Sequence, residues 1–219
     1  MMLFRDRIDA GHQLAAPLGS FAHNRNCVVL ALPRGGVPVG FALAEELHLP
    51  LDVFLVRKLG VPGQEELAMG AVASGGVRVL NAEVVRELAI TSQQIEAVAA
   101  YELLELERRA QVFREGHPQV EVAGKIAILV DDGLATGSTM RAAVKALRQG
   151  SPTQIVVAVP VGAAATCDLL RSEADHVVCL ATPEHFFAVG QWYGDFAQTS
   201  DDEVRELLRR AREGAKSAA

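Results

Sequence analysis

Residues 126–140 constrain the fold of this chain more than any other stretch, because they join three local patterns without a gap. An apolar run, 126–130, leads into two adjacent carboxylates, Asp131 and Asp132, and then into a turn rich in Gly, Thr and Ser. A helix is expected to begin after the turn, near Ser138. A strand that ends on polar residues and continues into a helix is typical of open α/β sheets, which place ligands at the carboxyl ends of their strands.

The alternation of short β-rich runs with helical patterns extends along the chain and predicts an α/β fold with a parallel five-stranded sheet flanked by helices. The five candidate strands are 27–32, 52–56, 126–130, 154–160 and 176–180. Helices are expected near 37–47, 138–149 and 163–172, and a long one is expected to reach about Arg114. Thr91 and Gln94 form the capping box of that long helix, and Asn81, Asp6 and Ser200 with Glu203 are further N-cap candidates.

A smaller unit is predicted between the second and third of these strands. Runs 69–73 and 77–80 are separated by Ser74, Gly75 and Gly76, which predicts an antiparallel hairpin. The Gly/Pro-rich stretch before the hairpin, 58–64, is expected to act as a flap that closes over a site and excludes water.

The composition limits the class of protein. A chain of 219 residues, 50% of them hydrophobic, can bury a substantial core, and a net charge of -6 argues against a general nucleic-acid surface. Because there is neither an apolar run of roughly eighteen residues nor a signal segment at the start, a cytoplasmic protein without membrane association is expected. Cys27, Cys167 and Cys179 are an odd, widely spaced set, which favours buried free thiols over a disulfide framework or metal site.

The acid pair and the turn after it fit a phosphorylated sugar. Backbone N–H groups of 134–139 are expected to form an anion-binding nest at a helix N-terminus, where the helix dipole favours a phosphate. The hydroxyls of Thr136, Ser138 and Thr139 add hydrogen-bond donors. Two carboxylates can accept hydrogen bonds from vicinal ribose hydroxyls or support Mg²⁺. A phosphate nest beside two acids therefore suits a ribose 5-phosphate.

Other nucleotide sites fit these residues less well. A P-loop needs a Lys in the loop, and no Lys occurs between Lys125 and Lys145. The glycines of 35–40 do not follow the dinucleotide-binding fingerprint. A phospho-receiver domain also has an acid pair after a strand, but it has no reason to follow the pair with a Thr/Ser/Gly nest. An ordinary Gly-rich turn in which Asp131 and Asp132 act as caps would not require the whole Gly/Thr/Ser-rich sequence that follows them.

Residues 130–139, which read VDDGLATGST, resemble the phosphoribosyl-diphosphate (PRPP) binding motif of type I phosphoribosyltransferases. That motif consists of apolar residues, two acids and Gly-x-Ala-Thr-Gly-x-Thr. Together with 4–7, Ala10 and Gly11, and 188–193, it makes the chain similar to bacterial phosphoribosyltransferases of undefined acceptor. The resemblance implies the type I phosphoribosyltransferase fold as a single domain over 1–219. In it, a hood of about 1–24 and 181–219, made from the chain termini, covers a core of about 25–180.

The family implies a reaction in which a nitrogen acceptor displaces diphosphate from PRPP. Asp131 and Asp132 are then the catalytic residues, anchoring the ribose hydroxyls and favouring the positive charge that develops on the ring. The 5-phosphate would be bound by Gly133, Leu134, Ala135, Thr136, Gly137, Ser138 and Thr139. Mg²⁺ is the expected cofactor, held by diphosphate, ribose and water oxygens and by Asp131 or Asp132 instead of a dedicated protein cage.

Two further loops resemble diphosphate-binding segments of the family. Arg34, Gly35 and Gly36 follow the first strand and look like its pyrophosphate loop, in which a glycine is expected to need an unusual backbone conformation. Arg57 and Lys58 resemble the start of the Arg-Lys-Pro-Gly-Lys run of adenine phosphoribosyltransferases. The likeness is partial, because Val61 stands where that run has its second Lys.

The acceptor is less well defined by the sequence. Four aromatic residues beyond the last strand can either stack on a heterocyclic base or pack the hood onto the core: Phe186, Phe187, Trp192 and Tyr193. We therefore expect a Mg²⁺-dependent, homodimeric phosphoribosyltransferase of purine or pyrimidine salvage, acting on a nucleobase or related heterocycle and binding no nucleic acid. The alternatives are a non-catalytic regulator that senses PRPP or a nucleotide on the same fold, and a simple phosphosugar-binding module.

Overall fold

Parallel strands build the central layer of the molecule. A computed structural model describes residues 2–217, and the strands of its described part are β1 (Cys27–Ala31), β2 (Leu51–Val53), β3 (Val56–Val61), β4 (Gln64–Ala73), β5 (Val77–Leu80), β6 (Ile126–Val130), β7 (Gln154–Val161) and β8 (His176–Ala181). The helices are α1 (Arg7–Ala15), α2 (Gly36–Leu47), α3 (Ala82–Glu87), α4 (Ser92–Arg114), α5 (Ser138–Gln149), α6 (Ala164–Leu170) and α7 (Asp201–Ser217). Two 3-10 turns cover Ala16–Phe21 and Val189–Trp192.

The five-stranded sheet has the order β2-β1-β6-β7-β8, and every pairing in it is parallel. Each strand is the predicted one, although β2 is shorter and begins one residue earlier than expected. β1 is buried along its whole length, as expected of a strand covered by helices on both faces. Because β6 lies in the middle of the sheet, the acid pair that follows it emerges at the centre of the carboxyl edge.

The predicted hairpin is present as β4 and β5, and it carries a third antiparallel strand, β3. The stretch 58–64 is consequently not an irregular loop. Its first four residues belong to β3, and its turn into β4 contains Gly63 with a φ of +80°, a conformation that favours glycine. A flap at this position would have to move as a ribbon of paired strands.

Helices α1, α4 and α7 begin at the N-cap residues that the sequence predicts. Thr91 and Gln94 form both hydrogen bonds of the capping box of α4. Asp6 caps α1 by accepting from the Asp9 amide, and the Ser200 hydroxyl accepts from the Glu203 amide at the start of α7. The far end of α4 is tied to β2 by a buried ion pair, in which Arg114 Nε lies 3.0 Å from Asp52 Oδ1.

The segment that precedes the core in the chain contacts the segment that follows it. The Phe4 amide donates to the Trp192 carbonyl at 3.0 Å, and the Gly194 amide donates to the Phe4 carbonyl at 2.8 Å. α1 packs closely on α2 because Gly11 has no side chain; a Cβ there would lie 2.4 Å from the Val39 carbonyl oxygen. α7 packs on α2 and α4. This arrangement brings parts of 1–24 and 181–219 together beside the carboxyl edge of the sheet.

Two other features bear on the sequence analysis. Among residues 2–217, no helix combines the length and the apolar character needed to cross a membrane. Cys27 and Cys167 are buried free thiols and Cys179 is partly buried.

Candidate active site

The two acids lie at the carboxyl end of β6, and both are partly buried. The Asp132 amide donates to Asp131 Oδ1 at 2.9 Å, so the first carboxylate is held against the backbone of the second residue. The surrounding protein removes water from Asp131 and raises its pKa well above the usual value, and the nearby charge of Asp132 raises it further. Asp131 is therefore the acid of the pair that most readily holds a proton.

Arg7, in the first turn of α1, binds the second acid. Its Nε lies 2.9 Å from Asp132 Oδ2, and its Nη1 donates to the Ala197 carbonyl at 2.7 Å. The guanidinium also lies 3.8 Å from the centre of the Phe196 ring, a cation–π distance. Desolvation still raises the pKa of Asp132, and the Arg7 charge opposes that rise. No local pattern in the sequence marks Arg7 as a site residue.

Tyr193 holds the backbone of the same turn. Its hydroxyl donates to the Asp132 carbonyl oxygen at 2.6 Å, and its ring packs between Phe4 and Phe196, with ring centres 5.3 and 5.0 Å away. Desolvation is the main cause that raises the pKa of Tyr193, so the hydroxyl stays a donor. Of the two roles expected for the aromatic residues, Tyr193 takes the packing role, because it is 4% exposed and covered by aromatic neighbours.

The other three aromatic candidates differ in exposure. Phe187 is 80% exposed, whereas Phe186 and Trp192 are partly buried against the cluster of Phe4 and Tyr193. The Trp192 Nε1 atom is buried and has no hydrogen-bond acceptor within the described part of the chain. A role for these three residues in binding a base stays a prediction.

The turn after the acids supplies unpaired amides. Among residues 2–217, no acceptor is found for the backbone N–H groups of 135–139, which lead into the N-terminus of α5. Gly137 has a φ of +69°, and a Cβ there would lie 2.4 Å from Thr166 Cγ2. Five consecutive free donors at a helix N-terminus form the kind of site that binds a phosphate.

The nest is shorter than predicted by one residue. The Leu134 amide donates to the Val161 carbonyl at 2.9 Å, and its side chain is buried. Leu134 therefore cannot donate to a phosphate, and the prediction is wrong at this position because the residue forms a β-bridge with Gly162. Gly133 lies under the 3-10 turn of Val189–Trp192, where a Cβ would come within 2.5 Å of Val189.

A residue of α6 fixes the start of the nest. The Thr166 hydroxyl donates to the Ala135 carbonyl at 2.7 Å, which turns this carbonyl away from a ligand position. No local pattern in the sequence marks Thr166, because its role depends on the packing of α6 beside the turn.

The loop of 33–36 lies directly against the acid pair. A Cβ at Gly35 would lie 2.0 Å from Asp132 Oδ2, and one at Gly36 would lie 2.7 Å from the Val130 carbonyl oxygen. Neither glycine has a positive φ, so the expectation of an unusual conformation is wrong: these residues are glycines because there is no space for a side chain. The Pro33–Arg34 peptide bond is cis.

Some of the backbone N–H donors of this loop are hydrogen-bonded within the protein, and others are available to a ligand. The Gly36 amide donates to the Leu32 carbonyl at 3.0 Å, so the prediction that this amide binds diphosphate is wrong. No acceptor for the amides of Arg34 and Gly35 is found in residues 2–217. The Arg34 side chain is partly exposed, and its Nη1 lies 3.6 Å from Asp201 Oδ1 at the start of α7.

Arg57 and Lys58 point to different surroundings. Arg57 forms an ion pair and hydrogen bond with Glu102 of α4, and both side chains are partly buried. A diphosphate contact by Arg57 stays a prediction that requires this pair to open. Lys58 is exposed and forms no salt bridge with any described residue, so its charge is available to a ligand.

The donor set of the acid pair fits a magnesium ion that is mostly held by substrate. Asp131 Oδ1 and Asp132 Oδ2 are occupied by hydrogen bonds, while no described residue bonds the second oxygen of either carboxylate. Within residues 2–217, no cluster of three or more His, Cys, Asp or Glu could hold a metal ion by itself. Mg²⁺ accepts one or two carboxylate oxygens together with phosphate and water oxygens.

Comparison with known proteins identifies a family that this chain matches. The model of the phosphoribosyl transferase domain matches residues 7–195, a span that begins at Arg7 and includes both loops and the nest.

Two relatives from Mycobacterium tuberculosis are each 52% identical to this chain over 211 residues. They are "Putative phosphoribosyl transferase Rv0571c" (strain ATCC 25618 / H37Rv) and "Putative phosphoribosyl transferase MT0597" (strain CDC 1551 / Oshkosh). The matches cover 96% of this chain and 47% of each relative, so the chain spans about half the length of these relatives.

A solved structure has the same architecture. The crystal structure of TT1426 from Thermus thermophilus superposes with a TM-score of 0.84 at 42% sequence identity, and the match covers 96% of this chain and 99% of that one. The expected arrangement of a parallel five-stranded sheet, flanking helices and a small antiparallel unit is thus confirmed.

Proposed function

The chain belongs to the phosphoribosyl transferase family, and we propose that it transfers the 5-phosphoribosyl group of PRPP to a nitrogen acceptor with release of diphosphate. The observation that carries the proposal is the juxtaposition of five unpaired amides, 135–139, with the carboxylates of Asp131 and Asp132. The amides suit the 5-phosphate and the carboxylates suit the ribose hydroxyls of one substrate.

The two acids have different roles in this proposal. Asp132, held by Arg7, is the fixed anion that accepts from a ribose hydroxyl and favours positive charge on the ring in an oxocarbenium-like transition state. Asp131, whose pKa is raised by desolvation, is the better base near neutral pH and takes the proton that the nitrogen acceptor loses. As C1–N bond formation proceeds, the C1–O bond to diphosphate breaks and the electron pair leaves with diphosphate.

The diphosphate is bound by the opposite side of the site. The amides of Arg34 and Gly35 have no protein acceptor among the described residues, and the Arg34 and Lys58 side chains supply positive charge. Asp131 and Asp132 would help to hold Mg²⁺, which when bound would neutralise negative charge on the diphosphate.

The acceptor is a nucleobase or related nitrogen heterocycle, for which Phe186, Phe187 and Trp192 offer flat surfaces near the Val189–Trp192 turn. A hood formed by 1–24 and 181–219 over the core of about 25–180 would cover it. The proposal extends to a cytoplasmic homodimer that works in nucleotide salvage, an expectation that rests on the family resemblance alone.

Mass spectrometry of the products tests this proposal. The protein is incubated with PRPP, Mg²⁺ and a pool of purines, pyrimidines and related heterocycles, and one acceptor is expected to gain a phosphoribosyl group. Asp131→Asn in the same pool is the control and should form product about 10²–10³-fold more slowly. If PRPP binds and no acceptor in a broad pool is modified, the proposed transfer is contradicted and a regulator that senses PRPP becomes the better account.

A further inference from the structure

A second cleft lies at the opposite end of the sheet from the acid pair. It has a volume of about 850 Å³ and is lined by residues just before β1 and β2, by the end of α2 and by α7. This volume is within the range of about 300–1,000 Å³ that small-molecule sites occupy. Because β1 has five residues, roughly 16 Å of sheet separates the two ends.

Two histidines form a fixed pair in this cleft. The rings of His23 and His48 stack with centres 4.5 Å apart and an angle of 20° between their planes. The backbone enforces the pairing: His48 ends α2 in the left-handed conformation, and the His23 amide donates to the carbonyl of the preceding Leu47 at 2.9 Å. Neither ring has a hydrogen-bond partner within residues 2–217, so their nitrogens are available to a ligand.

Two arginines give the cleft its charge. Arg25 and Arg210 both line it, and neither forms a salt bridge with a described residue. Arg210 lies over the Phe41 ring, 4.7 Å from its centre, which fixes the guanidinium at the wall of the cleft. Glu45 is the single carboxylate among the described residues that line the cleft. The remaining wall, formed by Phe41, Ala44, Leu49 and Pro50, is mainly apolar.

We propose that this cleft binds a small anion that carries a flat ring, a phosphorylated or carboxylated heterocycle. The guanidinium groups of Arg25 and Arg210 match the oxygens of a phosphate or carboxylate. The stacked imidazoles and the apolar wall contact the ring. This site is separate from the PRPP site and does not depend on the proposed transfer reaction.

Two helices connect the cleft to the loop of 33–36. α2 begins at Gly36 in that loop and ends beside His48. α7 begins at Asp201, which pairs with Arg34, and carries Arg210 to the cleft. A ligand in the cleft therefore contacts the far ends of both helices that meet the diphosphate loop. Any effect of the ligand on PRPP affinity must be matched by an equal effect of PRPP on the affinity for the ligand.

Calorimetry with phenyl phosphate tests the site, because this probe has a flat ring and an anion but no ribose. Methyl phosphate, which lacks the ring, and benzoate, which carries a carboxylate, are titrated in parallel. We expect phenyl phosphate to bind more tightly than methyl phosphate, and the comparison with benzoate shows which anion the arginines prefer. Arg25→Ala with Arg210→Ala should weaken binding about tenfold or more, the loss expected for charged hydrogen bonds.

The controls separate this cleft from the PRPP site. Arg205→Ala alters another arginine of α7, which pairs with Asp202 and does not line the cleft, and it should leave binding unchanged. Because the phosphate nest also suits these probes, the titrations are made with the nest saturated by PRPP and Mg²⁺. Thr139→Ala should then also leave binding unchanged. The proposal is overturned if phenyl phosphate does not bind at millimolar concentration, or if Thr139→Ala weakens binding and the Arg25 and Arg210 substitutions do not. Arg25→Ala alone, at an exposed turn, supplies a variant whose folding is not at risk.

Discussion

Asp131 and Asp132 are adjacent in the sequence but differ in what surrounds them. Asp132 has a guanidinium partner and a tyrosine bound to its carbonyl, whereas the one hydrogen-bond donor to the Asp131 carboxylate among residues 2–217 is a backbone amide. The sequence predicts both acids and their position because strand, acids and turn are contiguous. It does not predict that Arg7 and Tyr193 bind Asp132, since these residues are 125 and 61 positions away from it in the chain and no local pattern connects them.

The pKa of Asp131 leads to a prediction with two readouts. Asp131→Asn should reduce turnover by about 10²–10³-fold, because the general base that takes the proton of the nitrogen acceptor is lost. The raised pKa means that the folded protein binds the Asp131 proton more tightly than the unfolded chain. The carboxyl therefore stabilises the fold fully below its unfolded pKa, and this contribution is lost as pH rises through the folded pKa.

Asp131→Asn should consequently have a higher free energy of unfolding than the wild type at about pH 7, and the difference should shrink toward about pH 4. Urea denaturation at both pH values and a diphosphate-release assay measure the two effects. Full turnover in Asp131→Asn would contradict the catalytic role of Asp131. A lower free energy of unfolding than that of the wild type at neutral pH would contradict the raised pKa of this residue.

Thr139 tests the phosphate nest. Thr139→Ala removes one hydroxyl donor at the start of α5 and should weaken PRPP binding by about 1.5–3 kcal/mol, the value of one hydrogen bond to a charged group. Calorimetry with PRPP and Mg²⁺ measures the loss. Thr153→Ala is the matched control, because Thr153 is exposed just before β7, at the other end of the sheet. Equal affinity of the two variants would place the 5-phosphate elsewhere.

On the scale of elements, the sequence predicts what local chemistry determines. The caps of α1 and α4, the β4–β5 hairpin and all five parallel strands were predictable from spacing and turn residues. Strand β3 was not, because the Gly/Pro content of 58–64 suggests a loop and only pairing with β4 makes it a strand. The order of the central strands depends on how helices cross the sheet, which no single segment encodes.

Helix α1 acts as a support of the acid pair through Arg7. Arg7→Ala leaves the Asp132 carboxylate partly buried without its guanidinium and should lower the free energy of unfolding by about 1–3 kcal/mol. Arg5→Ala is the control, since the Arg5 side chain is 83% exposed. Combining Arg7→Ala with Asp132→Asn should cost less than the sum of the single changes, because the two side chains interact directly. Equal denaturation midpoints for Arg7→Ala and Arg5→Ala would contradict this role.

The ribbon of β3 and β4 is the candidate flap. Hydrogen exchange of the amides in 58–68 should slow when PRPP and Mg²⁺ saturate the protein, because closure would exclude water from the site. The amides of buried β1 provide the internal control and should exchange slowly in both states. If the exchange rates of 58–68 do not change when PRPP binds, the prediction of a closing flap is contradicted.

On the scale of the whole molecule, the site is completed by segments from opposite parts of the chain. Residues 3–7 and 192–197 meet over the acid pair, and Val189 covers Gly133. The family match spans 7–195, which includes Arg7 of the first segment and 192–195 of the second. A parallel sheet with a central acid pair follows from sequence patterns, whereas the contact between distant segments follows from tertiary packing and had to be seen in the structure.

The most direct measurement of the central claim is diphosphate release from PRPP in the presence of Mg²⁺, in parallel reactions that each contain one nitrogen heterocycle. The account predicts release that requires one class of acceptor and that is about 10²–10³-fold slower in Asp131→Asn. Measurable PRPP binding without release in any reaction would contradict the proposed transfer and favour a protein that binds PRPP as a signal.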